Sequence, residues 1–321
     1  MGIFANPLTD LLEYEDFSRD FLKGTDPVGM TGCIDSEKVH FMSTFLGEKK
    51  VQLVVTYNEQ RAREIEEDYK LFCSQVYVIP PRDLIFFSAD LQGNAIIAER
   101  MKAFAALYQN EAKVIITTMD ALMSAAVPFE QLMSHVIKLK EGDELDLEKL
   151  KHDLTVMGYE RVGRVEEPGQ FTVHGGIADV YPLTMEVPVR IELWGDEIDT
   201  IRCFEPQSQR SMDQIECVSV FPAAEVIADD TARRRAVGMI QNELESQLAV
   251  FKKAKEPDKA KRLREETNRI LEALGEDVVL EAPDSYISYF CPRTVQLSEY
   301  FDEKNTLVFL DEPMRLKERG D

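Results

Sequence analysis

Apolar positions along this chain change their spacing twice, and each change marks a stretch of different structure. The run VQLVVT, from Val51 to Thr56, is short and largely apolar, as a buried strand is, and after it Ala62, Ile65, Tyr69 and Phe72 recur at helical spacing. VYVI (Val76 to Ile79) predicts a second strand, Asn94 to Leu107 a helix, and KVIITT (Lys113 to Thr118) a third strand. Strands alternating with helices imply a parallel sheet with helices packed on it.

The pattern then shifts. A helix begins near Pro128 and another carries Leu147, Leu150, Leu154 and Met157. From Gly158 to Pro206 short alternating runs follow, punctuated by Pro168-Gly169, Gly175-Gly176 and Gly195-Asp196. These are turn signals of successive hairpins, and they predict an antiparallel meander of four or five strands inserted between two halves of an α/β domain. From Asp230 the spacing is helical again. Val237, Ile240, Leu244, Leu248 and Phe251 form one stripe, Pro257 breaks it, and a second helix with Leu263, Ile270, Leu271 and Leu274 stops at Gly275. TLVFLDEP (Thr306 to Pro313) closes the pattern as a strand ending in two acids.

Charge narrows the function. The 321 residues hold 37 Lys and Arg against 59 Asp and Glu, a net charge of −22. Phosphate backbones are held mainly by Lys and Arg, so this balance disfavours a dedicated nucleic-acid-binding domain and an anionic-membrane binder. The length suggests two domains, or three small ones. No run approaches the ~18 apolar residues of a membrane span, and the N-terminus lacks the features of a secretory signal, so a cytoplasmic protein is expected. Cys33, Cys73, Cys203, Cys217 and Cys291 include no C-x-x-C and are expected to be reduced. His40, His135, His152 and His174 show no metal-ligand spacing.

Two segments bear on nucleotide chemistry. Gly29-Met30-Thr31-Gly32-Cys33-Ile34-Asp35-Ser36 has a phosphate loop's first glycine and final hydroxyl in register, but Ile34 stands at the second glycine and Asp35 at the lysine. An anion there repels a triphosphate, and a Cβ obstructs the backbone's approach to it. Asp311 and Glu312 end a strand, where a motor holds magnesium and water. Taken singly, each has a plain alternative, a Gly-rich turn and a solvated strand end. Together and in order, they suggest a motor fold that has lost its chemistry.

A third candidate is a surface. In VPVRIELW the residues Val187, Val189, Ile191 and Leu193 alternate with Pro188, Arg190, Glu192 and Trp194, so a strand would bury the first set and display the second. Trp194 is the chain's single tryptophan. Tryptophan and arginine on one displayed face are the residue types of binding hot spots, unless the indole folds back onto its own chain. A basic cluster of Arg233 to Arg235, Lys252, Lys253, Lys255, Lys259, Lys261, Arg262 and Arg264 is interleaved with Glu256, Asp258, Glu265 and Glu266, which favours a solvated helical hairpin over a nucleic-acid contact.

FTVHGGIADVYP (Phe171 to Pro182), PVRIELWGDEIDTIR (Pro188 to Arg202), QSQRS (Gln207 to Ser211) and FPAAEVI (Phe221 to Ile227) carry a resemblance. Through them the chain, from about Gly29 to Pro313, resembles the N-terminal region of the transcription-repair coupling factors, the Mfd family. That region is itself similar to the excision-repair protein UvrB. The UvrB loop is a working G-x-T-G-x-G-K-T and its acidic strand ends in D-E-S-H; both are altered here. UvrB's tyrosine-rich DNA-clamping hairpin has no room between Val78 and Arg100. What the resemblance leaves intact is the small inserted domain, which in both families docks UvrA. Carried over residue by residue, the arginine of P-x-R-x-[ED]-F-F falls on Arg190, the acid on Glu192 and the last aromatic on Trp194. A further basic contact falls on His174, where imidazole replaces guanidinium.

The resemblance therefore implies degenerate helicase-like, P-loop NTPase-type parallel-sheet lobes with an inserted antiparallel β-rich domain. The expected segments are 1–128 (first lobe), 129–220 (UvrA-docking domain) and 221–321 (helical pair and closing lobe). The module would be non-catalytic, with no cofactor of its own. In the family, ATP and magnesium serve a C-terminal motor, and RNA polymerase and DNA are bound by regions beyond this chain, which looks like a fragment. An intramolecular contact with the rest of the longer protein and no membrane association are also implied. The rival reading is a UvrB-like ATPase that keeps nucleotide through Asp311 and Glu312.

Overall fold

The computed structural model describes residues 8, 12–24, 27–82, 92–275 and 286–320. In chain order its main elements are α1 (Leu12–Lys23), α2 (Asp35–Ser43), β1 (Val51–Thr56), α3 (Glu59–Lys70), β2 (Val76–Ile79), α4 (Gln92–Tyr108), β3 (Val114–Thr118), α5 (Met119–Met123) and α6 (Phe129–Met133). Next come β4 (Ile137–Lys140), α7 (Leu147–Val156), β5 (Glu160–Arg161), β6 (Gln170–His174), β7 (Ile177–Val180), β8 (Val189–Trp194), β9 (Glu197–Phe204), β10 (Ser211–Gln214) and β11 (Cys217–Val220). Last are α8 (Asp230–Ala254), α9 (Pro257–Gly275), α10 (Ile287–Phe290), β12 (Thr306–Leu310) and α11 (Pro313–Gly320). The chain is α/β and forms two compact units, one of Met1–Arg82, Lys102–Ser124 and Gln296–Asp321, the other of Asp83–Met101 and Ala125–Val295.

The first unit is built on a parallel sheet in the order β12-β1-β3-β2. All six residues of β1 are buried, as a central parallel strand's are. Ala62, Ile65 and Tyr69 of α3, spaced as the sequence predicts, pack with Val39 and Met42 of α2 against Val54, Val76 and Ile116. Gln52, the polar residue inside β1, is satisfied twice. Its Nε2 donates to the Met42 carbonyl at 3.0 Å and its Oε1 accepts from the Tyr69 hydroxyl at 2.8 Å. Asn58 caps α3 by accepting from the Arg61 N–H at 2.8 Å.

The second unit holds a sheet in the order β10-β9-β8-β7-β6-β5. It has six strands rather than four or five, and β5 lies parallel to β6. Pro168-Gly169 therefore opens no hairpin: a two-residue β5 is too short to show as a periodic pattern. Gly175-Gly176 and Gly195-Asp196 do join antiparallel neighbours. The inner face of the sheet, with Phe171, Val180, Val189 and Ile191, packs on Leu150, Leu154 and Met157. Alternation holds in β8, where Val189 and Ile191 are fully buried, but Pro188 precedes the strand and is buried too. Pro257 starts α9 rather than merely ending α8, which stops on left-handed Lys255 (φ +56°). Proline's fixed φ suits a first helical turn.

Two features of this unit bear on its stability. Arg100 and Glu225, 0% and 1% exposed, form a buried pair through Nε (2.5 Å) and Nη2 (3.1 Å). Gly158 has φ +91°, and a Cβ added there would lie 2.8 Å from the Ala224 Cβ. Gly158→Ala combines left-handed strain with overpacking and is expected to cost about 2 kcal/mol or more in urea unfolding. An unchanged urea midpoint would show that the Ala224 loop yields freely.

Candidate functional site

The two acids at the end of β12 sit among cations of the same unit. Parallel pairing of Val55 with Leu310 brings the ends of β1 and β12 together, and the Asp311 N–H donates to the Val55 carbonyl at 2.9 Å. Asp311 is buried. Its Oδ2 accepts from the Thr56 hydroxyl at 3.0 Å and from Arg61 Nε at 3.2 Å, and its Oδ1 from Lys38 Nζ at 3.1 Å. Lys38 also reaches Glu312 Oε1 at 2.5 Å, and Arg61 reaches Glu64 at 3.0 Å and Asp35 at 3.5 Å. Burial alone would lower the Lys38 pKa, but its bonds to Glu312 and Asp311 outweigh that and raise it. Arg61 is raised likewise against its own burial, through Glu64 and Asp311.

The loop from Gly29 to Ile34 leads into α2, and among the described residues no strand runs into it. Gly32 takes φ +89°, a conformation that suits glycine. The N-terminus of α2, where a phosphate would meet free backbone donors, already holds acids. The Ile34 N–H donates to Glu37 Oε2 at 3.2 Å, and the Asp35 side chain is 82% exposed beside it. Ser36 is exposed in the same first turn. The residues present do not fit a magnesium nucleotide: the helix end is acidic, and the strand-end carboxylates are bonded to Lys38 and Arg61.

Asp311→Ala leaves Lys38 with Glu312 and Arg61 with Glu64, so it is expected to destabilise by about 1–3 kcal/mol. The Lys38 pKa is raised on folding, so its contribution is fully present below the unfolded value near ~10.4 and is lost as pH rises through the folded one. The deletion's effect therefore stays constant from neutral pH to about pH 9. MgATP binding that vanished in Asp311→Ala would instead revive the ATPase reading.

The second set of candidates lies in the second unit, on the sheet face opposite the core. Register places Thr172, Asp179, Arg190 and Arg202 in one cross-strand row and His174, Ile177, Glu192 and Thr200 in the next. Trp194 ends β8 opposite Glu197 and is 84% exposed, so it does not fold back onto its own chain. His174 is exposed, with Nε2 2.8 Å from the Thr172 hydroxyl, and Glu192 accepts from the Thr200 hydroxyl at 3.2 Å.

Arg190 is half-buried and already paired. Its Nε and Nη2 donate to Asp179 at 2.8 and 2.7 Å, Nη2 also to Gln209 at 3.3 Å, and the guanidinium lies 4.7 Å from the Phe204 ring centroid. The Asp179 bonds raise its pKa. Its fork edge is therefore committed to Asp179, and the side chain is fixed rather than free. Asp179 and Ile177, which is 40% exposed, escaped the sequence reading. Alternation through IADV held the signal, since it puts both on the face of Thr172 and His174. For Lys38 and Arg61 the signal was topological: both lie one turn into helices beside the paired strand ends.

The basic cluster behaves as a solvated hairpin. Lys259 pairs with Glu256 at 2.9 Å and Lys261 with Glu265 at 3.8 Å, both exposed. The clamp-hairpin question falls partly on residues 83–91, which lie outside the described residues. Among the described residues no group of acids, histidines and cysteines is arranged to hold a metal ion, and no helix is long and apolar enough to cross a membrane.

Comparison with known proteins bears on the second set. Residues 137–225 match the model of the UvrB interaction domain, a span that includes strands β4 to β11 and all four displayed candidates. A transcription-repair-coupling factor of Bacillus subtilis (strain 168) is 30% identical over 319 residues, covering 98% of this chain and 27% of that protein. Those of Staphylococcus epidermidis and Staphylococcus haemolyticus are 29% and 31% identical, covering 99% and 93% of the chain and 27% and 25% of their own lengths. The chain thus spans about a quarter of the length of these relatives.

Proposed function

From a chain that carries a UvrB interaction domain and is similar along nearly its whole length to the N-terminal regions of transcription-repair-coupling factors, we propose a non-catalytic module that docks UvrA. In the longer protein it would recruit excision repair to a stalled RNA polymerase, while polymerase, DNA and ATP are handled elsewhere. The observation that carries this reading is Trp194. A lone indole 84% in water, at the end of β8 two residues from Glu192 on the same side, is an apolar surface that a partner would cover. Arg190, its fork held by Asp179, adds a fixed cation to the same face.

The ion pairs around Asp311 support the non-catalytic half of the proposal, because magnesium would have to displace both Lys38 and Arg61. The test is calorimetric titration of this chain into UvrA, with Trp194→Ala and Arg190→Ala alongside. Saturable binding that weakens in both variants supports the reading; no binding by the unmodified chain overturns it. Arg190→Ala also strands the buried Asp179, so its folding is checked by thermal melting first.

A further inference from the structure

The tip of the α8–α9 hairpin forms a concave site that the UvrA reading does not use. An open groove of about 560 Å³ lies there, floored by Leu248, Ala249, Phe251, Pro257 and Ala260 and rimmed by Lys252, Lys255, Lys261 and Arg264, with the carboxylate of Glu256 also in its lining. Its volume is that of an ordinary ligand pocket. Residues 248–266 hold seven Lys and Arg against four Asp and Glu, a local charge of +3 on a chain of net −22, and the rim cation Lys261 lies 3.8 Å from Glu265. One of those acids, Glu256, is paired with Lys259.

The turn itself adds an independent observation. Lys255 sits at φ +56° and ψ +41°, where a helix end ordinarily places glycine, with its N–H on the Lys252 carbonyl and the Glu256 N–H on that of Phe251. A lysine in the left-handed region is strained, and it puts a cation at the rim of the groove.

We propose that this hairpin tip docks an acidic peptide segment of a protein partner, with one apolar side chain in the groove and flanking carboxylates on the four rim cations. Charge complementarity selects the acids and the apolar floor selects the anchor. The floor also separates this occupant from nucleic acid. Single strands bind through phosphates and stacked bases, whereas the floor offers one aromatic ring, Phe251, which is half-buried.

The test uses the full chain and a short fluorescein-labelled peptide of Asp and Glu with leucines at helical spacing, read by anisotropy. Comparison probes are the same peptide with serine for leucine and a single-stranded oligonucleotide. The leucine peptide is expected to bind, and the serine peptide and Lys261→Glu/Arg264→Glu each to lower affinity by about tenfold or more. Lys255→Gly separates binding from folding: relief of the strained φ should raise the melting temperature while affinity falls. Four results would each overturn the proposal: no binding, equal binding of the serine peptide, tighter binding of the oligonucleotide, or unchanged affinity in Lys255→Gly and the charge-reversed variant.

Discussion

Trp194→Ala is expected to weaken UvrA binding by about 2 kcal/mol or more, some thirtyfold in Kd, with a melting temperature within about 2 °C of the unmodified chain. The two halves of that expectation have one cause. At 84% exposure the indole contributes little to its own fold, so its removal leaves the sheet intact. Covered by a partner, the same ring would lose its contact with water over a large apolar area, and the strand that holds it would give up little entropy. Trp194→Phe should recover part of the affinity, since the apolar face remains and the N–H donor is lost. An unchanged Kd in Trp194→Ala would remove the displayed face of β8 from the interface.

The largest effect on stability is expected at the opposite extreme of exposure. Glu225→Ala removes the carboxylate that holds the buried Arg100 guanidinium through Nε and Nη2 and is expected to cost about 3–5 kcal/mol, read as a lowered urea midpoint. Removing both charges is different. Arg100→Met with Glu225→Leu removes the buried cation as well and should restore much of the loss, because a buried pair's attraction mainly offsets its own desolvation. A cost under about 1 kcal/mol for Glu225→Ala would mean that water reaches the guanidinium.

The fold was legible where burial alone decides the pattern. VQLVVT, VYVI and KVIITT form β1, β2 and β3 within a residue of their expected limits, because a central parallel strand must be apolar on both faces. Ala62, Ile65 and Tyr69 reached the core for the same reason. What stayed hidden depends on partners far along the chain. The two residues of β5 show no period, and their parallel pairing with β6 follows from a loop of 162–169 that folds back on itself. Lys38, Arg61 and Asp311 each look like ordinary surface charges until the register of β1 and β12 is known. In the candidate surface, Trp194 was evident from alternation. The commitment of Arg190 to Asp179 was not, because it needs the β7–β8 register as well.

The position of β12 sets a clock on folding. Thr56 and Asp311 are hydrogen-bonded across 255 residues of sequence, so β1 acquires its outer neighbour only after the whole of the second unit's sheet has been made. At about 5–20 residues per second, a ribosome leaves Val51 to Thr56 without that neighbour for roughly 10–50 s, far longer than the microseconds a hairpin needs. Throughout that interval β1 is an open, largely apolar strand edge, the kind that pairs with other chains. Lys38 and Arg61 wait as long for their shared carboxylate. The order of synthesis thus makes the nascent first unit, rather than the exposed face of β8, the stage at which this chain is most prone to aggregate.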